Sequence, residues 1–128
     1  MEKPPRNRLF IAYIVVAIVV ALSMFLSASG KLTLNPGAVH VINEVVGVPM
    51  SLFPVLAACE IAGGIGLLVG IYQPKIGVAA GIGLVLYFVG AIVGHIRVGD
   101  WAGLTAPITP LVFAITVLVL RIQSMKRT

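Results

Sequence analysis

Four long apolar stretches, which together hold a single charged residue, constrain the fold of this chain more than any other feature. Each has about the 20 residues that an α-helix needs to cross ~30 Å of bilayer hydrocarbon, the last one being the shortest. We predict membrane spans at about residues 9–29, 50–71, 76–94 and 105–120. The 128 residues then form one all-α membrane domain, residues 1–128, built as a four-helix bundle.

The composition agrees with a membrane protein. Hydrophobic residues make up 59% of the chain and charged residues 10%, whereas about a quarter of an average soluble chain is charged. The net charge of +5 is spread along the flanks of the apolar stretches. That distribution fits membrane topology and anionic lipid headgroups. We therefore expect contact with membrane lipid and no nucleic-acid partner.

The Lys and Arg residues predict the orientation of the bundle. If the N-terminus is cytoplasmic, four spans return the C-terminus to the same side. Only Lys31 and Arg97 then lie outside, and seven basic residues face the cytoplasm. The seven are Lys3, Arg6, Arg8, Lys75, Arg121, Lys126 and Arg127. This excess follows the positive-inside rule and predicts an N-in/C-in bundle.

The first outer loop, Lys31 to Pro49, carries the signals of a short helix. Asn35 before Pro36 is typical of a helix N-cap followed by its first residue, and Gly47 is typical of a helix end. Spacing predicts an amphipathic helix that lies on the outer interface or caps the bundle. Its apolar face holds Val39, Ile42 and Val46, and its polar face holds His40, Asn43 and Glu44.

A faint internal duplication relates the two halves of the chain. Span one ends with Ser29-Gly30-Lys31 and span three with Gly94-His95-Ile96-Arg97. Pro54 and Pro110 lie near the start of spans two and four. The halves would be parallel repeats of a two-span hairpin.

Glu60 is the strongest candidate for a functional residue. It lies about ten residues, or ~15 Å, below the outer end of span two, close to the bilayer midplane. A carboxylate there costs roughly 2.5–3.5 kcal/mol, so it usually faces a bundle interior or a wet cavity. Its helical face also carries Ala57, Gly63 and Gly64, so we expect it to face a neighbouring helix. The structural alternative is a protonated Glu60 that only hydrogen-bonds across helices.

Further polar residues are expected on the outer side of Glu60. Lys31 ends span one, His95 and Arg97 end span three, and Tyr87 lies at about the depth of Glu60. We expect these five residues to line an outward-opening polar cavity that acts as a proton or ligand site. Alternatively, Lys31 and Arg97 only extend to the interface, and His95 is only an interfacial polar residue.

Motifs for independent catalysis are missing from the sequence. Cys59 is the single cysteine, which excludes an internal disulfide and a CxxC redox pair. His40 and His95 are not part of a cluster with zinc spacing, and no nucleotide-binding fingerprint is present. We therefore assign no catalytic residue and no metal site, and the sequence does not indicate a stand-alone enzyme.

Short motifs in the spans resemble the DoxX-like family of small four-span membrane proteins. The resemblance covers roughly residues 8–120, and its most specific part is Glu-x-x-Gly-x-x-x-Leu, which begins at Glu60, with the later Gly94-His95 pair. The matching pieces are Ser29-Gly30-Lys31-Leu32, Val46-Gly47-Val48-Pro49, Cys59-Glu60-Ile61-Ala62-Gly63-Gly64-Ile65-Gly66-Leu67-Leu68 and Gly94-His95-Ile96-Arg97. The resemblance implies a four-helix bundle in a bacterial cytoplasmic (inner) membrane. It also implies that Lys31, Glu60, His95 and Arg97 occupy the family's recurrent polar positions.

The function implied by the resemblance is an accessory role. Some members are named for association with quinone-linked oxidoreductases, which implies redox-complex subunits as partners and quinone as a candidate cofactor. Glu60, Tyr87 and His95 would supply hydrogen bonds to a quinone headgroup. Two alternatives stay open: a non-catalytic scaffold or assembly protein, and a small proton-coupled carrier. A carrier would be a homo-oligomer, because four short helices enclose little volume.

Overall fold

The computed structural model describes residues 6–126, and this part of the chain is helical and contains no strand. In chain order the elements are α1 (Arg6–Leu32), α2 (Pro36–Ala38), a π-helical segment (Val39–Val45), a 3-10 turn (Met50–Leu52), α3 (Phe53–Val69), α4 (Pro74–Arg97), a second 3-10 turn (Ala102–Leu104) and α5 (Thr105–Lys126). Within residues 6–126, four stretches are long and apolar enough to cross a membrane. They are Arg8–Leu32, Met50–Val69, Pro74–Arg97 and Ala102–Lys126. The predicted all-α architecture with four spans is confirmed.

The helices run past several predicted span ends. The first contains Lys31 and the fourth extends to Lys126, because helical hydrogen bonding continues where the hydrocarbon stops. The orientation of the bundle in the bilayer stays a prediction, and Lys3 and Arg127 lie outside the described residues. We name the two ends by their residues. The Lys31 end of the bundle contains the C-terminal ends of α1 and α4, and the Arg121 end of the bundle contains their N-terminal ends.

The four long helices form a ring in which α1 contacts α3 and α5, and α4 also contacts α3 and α5. The buried core is apolar and draws on all four helices. It contains Tyr13, Ala17, Val20, Met24, Leu67, Leu84, Phe88, Ala114 and Val117. Many other large apolar side chains, such as Leu26 and Leu86, point outward. In a bilayer these outward side chains face lipid, so close backbone packing has to hold the helices together.

The turn between α3 and α4 is short. The chain reverses over residues 70–73, and Pro74 is the first residue of α4. Proline suits this position because the missing N–H has no partner in the first helical turn. The short turn makes α3 and α4 an antiparallel pair.

Helices α1 and α4 end in the same hydrogen-bonding pattern. At α1, the Asn35 N–H donates to Gly30 O (2.8 Å) and the Leu34 N–H to Lys31 O (3.3 Å). These bonds define a Schellman motif, which requires a left-handed residue just past the helix. Leu34 fills that position with φ 54°.

At α4 the equivalent bonds run from the Asp100 N–H to His95 O (2.9 Å) and from the Gly99 N–H to Ile96 O (3.0 Å). Gly99 is the left-handed residue there, with φ 73°. In the shared motif, Leu34 corresponds to Gly99. This alignment of the two halves is shifted by one residue from the alignment that matches Gly30 with Gly94 in the sequence. The duplication itself stays a prediction.

Replacing Leu34 with glycine should stabilise the protein. A side chain in the left-handed region costs about 1 kcal/mol relative to glycine, so Leu34→Gly should raise the free energy of unfolding by about that amount. Gly99→Leu is the matched reverse change and should lower it. Unfolding in mixed detergent micelles, followed by far-UV circular dichroism, measures both. A destabilised Leu34→Gly protein would contradict the prediction.

The helix predicted in the loop after α1 is present as α2 and the π-helical segment. The Asn35 side chain accepts a hydrogen bond from the Gly37 N–H (2.9 Å), which confirms the predicted N-cap. Gly47, with φ 91°, follows the helical segment as predicted. The predicted faces also agree. Val46 is buried and Val39 and Ile42 are half-buried, whereas His40 and Glu44 are exposed; Asn43 is half-buried and donates to Val48 O.

Candidate functional site

Lys31 and Glu60 form an ion pair inside the bundle. The Lys31 Nζ lies 2.7 Å from Glu60 Oε1, and the two side chains are 8% and 1% exposed. The same ammonium group donates a hydrogen bond to Ser27 Oγ at 2.8 Å. The pair therefore joins α1 to α3 across their interface. It also removes the net charge that either residue alone would place in a membrane-spanning helix.

The direction of the two helices explains why these side chains meet. In an α-helix the Cα–Cβ bonds tilt toward the N-terminus. Lys31 lies near the C-terminal end of α1, so its side chain points back into the bundle. Glu60 is seven residues after the start of α3 at Phe53, or about 10 Å along the helix, and its side chain tilts back toward that start. Because α1 and α3 run in opposite directions, the two side chains approach each other.

Charge attraction, and not an aligned hydrogen bond, holds this contact. Within residues 6–126, Glu60 Oε1 is fully buried and accepts no hydrogen bond, although the Lys31 Nζ is at ion-pair distance. Desolvation of both groups is costly, and their mutual attraction, together with the Lys31 hydrogen bond to Ser27 Oγ, offsets it. Loss of either partner would leave an uncompensated buried charge.

Tyr87 is the third predicted site residue at this place. Its hydroxyl lies close enough to the Glu60 carboxyl group for the two to interact electrostatically. The Tyr87 ring packs edge-on against Phe88, with 5.1 Å between ring centres. The prediction that Tyr87 lies at the depth of Glu60 agrees with this arrangement.

His95 belongs to a separate cluster. Its Nδ1 lies 2.8 Å from Asp100 Oδ2, and Asp100 Oδ1 accepts a hydrogen bond from the Gly103 N–H at 3.2 Å. This arrangement ties the end of α4 to the turn before α5. Arg97 is exposed and forms no ion pair with another described residue. Of the five predicted site residues, the structure brings together Lys31, Glu60 and Tyr87, whereas His95 and Arg97 have other surroundings.

The described cavity is apolar and does not include Glu60. It has a volume of about 210 Å³ and lies between α1 and α5. Its lining residues are Val19, Val20, Ser23, Met24, Thr109, Pro110 and Phe113. The two hydroxyls in this lining donate to carbonyls of their own helices, Ser23 to Val19 O and Thr109 to Thr105 O. The structure therefore gives no support to the predicted polar cavity around Glu60.

Arg121 is the centre of a polar cluster that the sequence did not reveal. Its guanidinium is buried, and its Nε donates to Gly70 O at 2.9 Å. Its Nη1 donates to Ser124 Oγ at 2.9 Å. The guanidinium carbon also lies 4.9 Å from the centre of the Phe10 ring and 5.2 Å from that of Tyr13.

This cluster satisfies the C-terminal end of α3. The last carbonyls of a helix lack internal partners and carry a partial negative charge, which a cation stabilises. Arg121 binds one of them at Gly70, and the Tyr13 hydroxyl donates to Leu67 O at 2.6 Å. The sequence analysis counts Arg121 only among the basic residues on the cytoplasmic side. No local motif distinguishes a basic residue that extends into water from one that folds back onto a neighbouring helix.

The comparisons with known proteins give a single result. A model of the DoxX-like family matches residues 15–119, a range that contains the Lys31–Glu60 pair and Tyr87. No curated protein and no solved structure matches the chain. Within the described residues, no group of three or more His, Cys, Asp or Glu side chains comes together in a way that could hold a metal ion.

Proposed function

Since this chain belongs to the DoxX-like family, we propose that it is a small accessory subunit of a larger membrane assembly, without catalysis of its own. The observation that supports this proposal most directly is the Lys31–Glu60 ion pair, which is buried inside the bundle. A buried ion pair of this kind fixes the position of α1 against α3 and favours a rigid scaffold. A carrier needs a path for solutes through the bundle, whereas Lys31 and Glu60, the charged pair inside the described part of the bundle, are closed off by each other.

The lipid-facing surface supports the same proposal. Large apolar side chains are exposed along every long helix, for example Leu26, Val55, Leu86 and Val112. Such a surface suits both lipid and the apolar helices of partner subunits. In the proposed setting, a bacterial inner membrane with both termini in the cytoplasm, the Lys31 end faces outward.

A complementation experiment tests this proposal. The gene is deleted, and membranes with and without the protein are compared by quantitative mass spectrometry. The comparison identifies complexes that lose subunits when the protein is absent. Wild type and the charge-free double variant Lys31→Met/Glu60→Met are then expressed at equal levels. A scaffold should restore the lost complex in both cases, because the double variant keeps the helix packing. If only the wild type restores it, the charged groups have a chemical role.

A quinone-linked redox complex is the second candidate, and one observation favours it. Tyr87 and the carboxylate of Glu60 lie close together within the membrane-spanning part of the bundle, where they offer a phenol and a carboxylate to a hydrogen-bonding headgroup. Native purification followed by mass spectrometry of bound lipids tests this idea. Stoichiometric quinone that is lost in Tyr87→Phe and in Glu60→Gln would support it, and no bound quinone in the wild type would oppose it.

A further inference from the structure

The segment after α1 lies across the end of the bundle that holds the ion pair. Lys31 is the next-to-last residue of α1, a position from which a lysine usually extends into water. It is nevertheless buried, together with Glu60. The chain turns back directly after it, because the Asn35 N–H bonds to Gly30 O. Residues 35–46, called the lid below, therefore start at the C-terminal end of the helix that carries Lys31.

A single buried side chain fastens the lid to the rest of the bundle. Of residues 33–49, only Val46 is buried. Its Cγ1 lies 3.1 Å from the position that a Cβ on residue 94 would occupy, so Val46 rests on the glycine before His95. Segments with few buried contacts open at low free energy while the rest of a protein stays folded. The lid meets this description.

Both ends of the lid are backbone positions that can act as hinges. Leu34 precedes the lid and has φ 54°, and Gly47 follows it with φ 91°. Between them the chain is helical from Pro36 to Val45, with Asn35 as the N-cap. A short rigid piece between two left-handed residues moves as a unit when their dihedral angles change.

We propose that the lid controls the access of water and small polar solutes to the Lys31–Glu60 pair. Closed, it keeps the pair dry and the attraction between the two charges strong. Opening hydrates both groups and weakens the link between α1 and α3. This proposal concerns access to the pair and holds whether or not the chain is an accessory subunit.

A reversible cross-link tests the lid directly. The test uses the double variant Val46→Cys/Gly94→Cys in a Cys59→Ala background. A sulfur in place of Val46 Cγ1 would lie about 3.1 Å from the Cβ of residue 94, which is close enough for a disulfide between the two cysteines. The purified protein in detergent is oxidised or reduced and treated with a small water-soluble amine-acylating reagent. Mass spectrometry then gives the acylation rate of each lysine. Lys75 and Lys126, which are exposed, are internal controls.

The reagent should acylate Lys31 at least about tenfold more slowly in the oxidised protein than in the reduced protein. The reason is that the lid of the oxidised protein can open only if the cross-link breaks. The rates at Lys75 and Lys126 should not change, and neither should any rate in the single variant Val46→Cys. Equal rates at Lys31 in both states would overturn the proposal. So would a failure of the two cysteines to cross-link, since Val46 would then not rest on residue 94.

Discussion

Lys31→Met should lower the free energy of unfolding by about 3 kcal/mol, and Glu60→Met should do the same. Each change removes one partner of the 2.7 Å ion pair and leaves the other charge buried. The double variant Lys31→Met/Glu60→Met should recover most of this loss, because two apolar side chains of similar volume fill the same space without a desolvation cost. Unfolding in mixed micelles, followed by far-UV circular dichroism, measures all three proteins.

The exposed contact between His40 and Glu44, which is an ion pair when His40 is protonated, supplies a matched control. Its atoms are as close as those of the buried pair, at 2.8 Å, but the side chains are 65% and 61% exposed. Solvent screens such a pair, so Glu44→Met should change stability by no more than about 0.5 kcal/mol. If Lys31→Met had as small an effect as Glu44→Met, the buried pair would not determine the packing of α1 on α3. A double variant no more stable than the singles would contradict the coupling.

Gly70→Ala should destabilise the protein by about 3 kcal/mol, although alanine favours helices more than glycine does. An added Cβ would collide with the Cα of Gly77 and with the Tyr13 hydroxyl. The Gly77 backbone cannot move without separating α3 from α4, and displacement of Tyr13 would break its bond to Leu67 O. The Arg121 bond to Gly70 O would shift as well.

Gly83 is the control for this change. It lies in the interior of α4, and an added Cβ there would meet no other atom within 4 Å. Gly83→Ala should therefore leave stability unchanged or raise it by up to about 1 kcal/mol, as expected from helix propensity alone. Equal effects of the two substitutions would show that the α3–α4 contact is less tight than the structure indicates.

Much of the fold was predictable because it depends on local chemistry. The number of spans follows from the length and composition of the apolar stretches, since a bilayer accepts only segments that satisfy their own backbone hydrogen bonds. The N-cap at Asn35 and the helix end at Gly47 are also local signals, and both were confirmed, whereas α4 starts at Pro74, two residues before the predicted span. The left-handed Leu34 was missed because a non-glycine residue at that position has no sequence signature.

The candidate site was predictable only in part. Glu60 was identified because a carboxylate in an apolar span needs a partner, and Lys31 was among the partners considered. His95 and Arg97 were expected beside it, but His95 bonds to Asp100 and Arg97 is exposed. The direction of the Cα–Cβ bond brings Lys31 inward, whereas the turn after α4 supplies His95 with its own carboxylate.

The sequence by itself therefore determined that this is a four-span helical membrane protein of the DoxX-like family with an ionisable group inside one of its spans. Only the tertiary structure decided which charges meet, that Arg121 folds back onto α3, and that the described cavity lies between α1 and α5. The physical reason is that these helices are apolar on nearly all sides. Such a pattern fixes where a helix crosses the membrane, but the rotation of each helix about its axis depends on contacts between residues far apart in the chain.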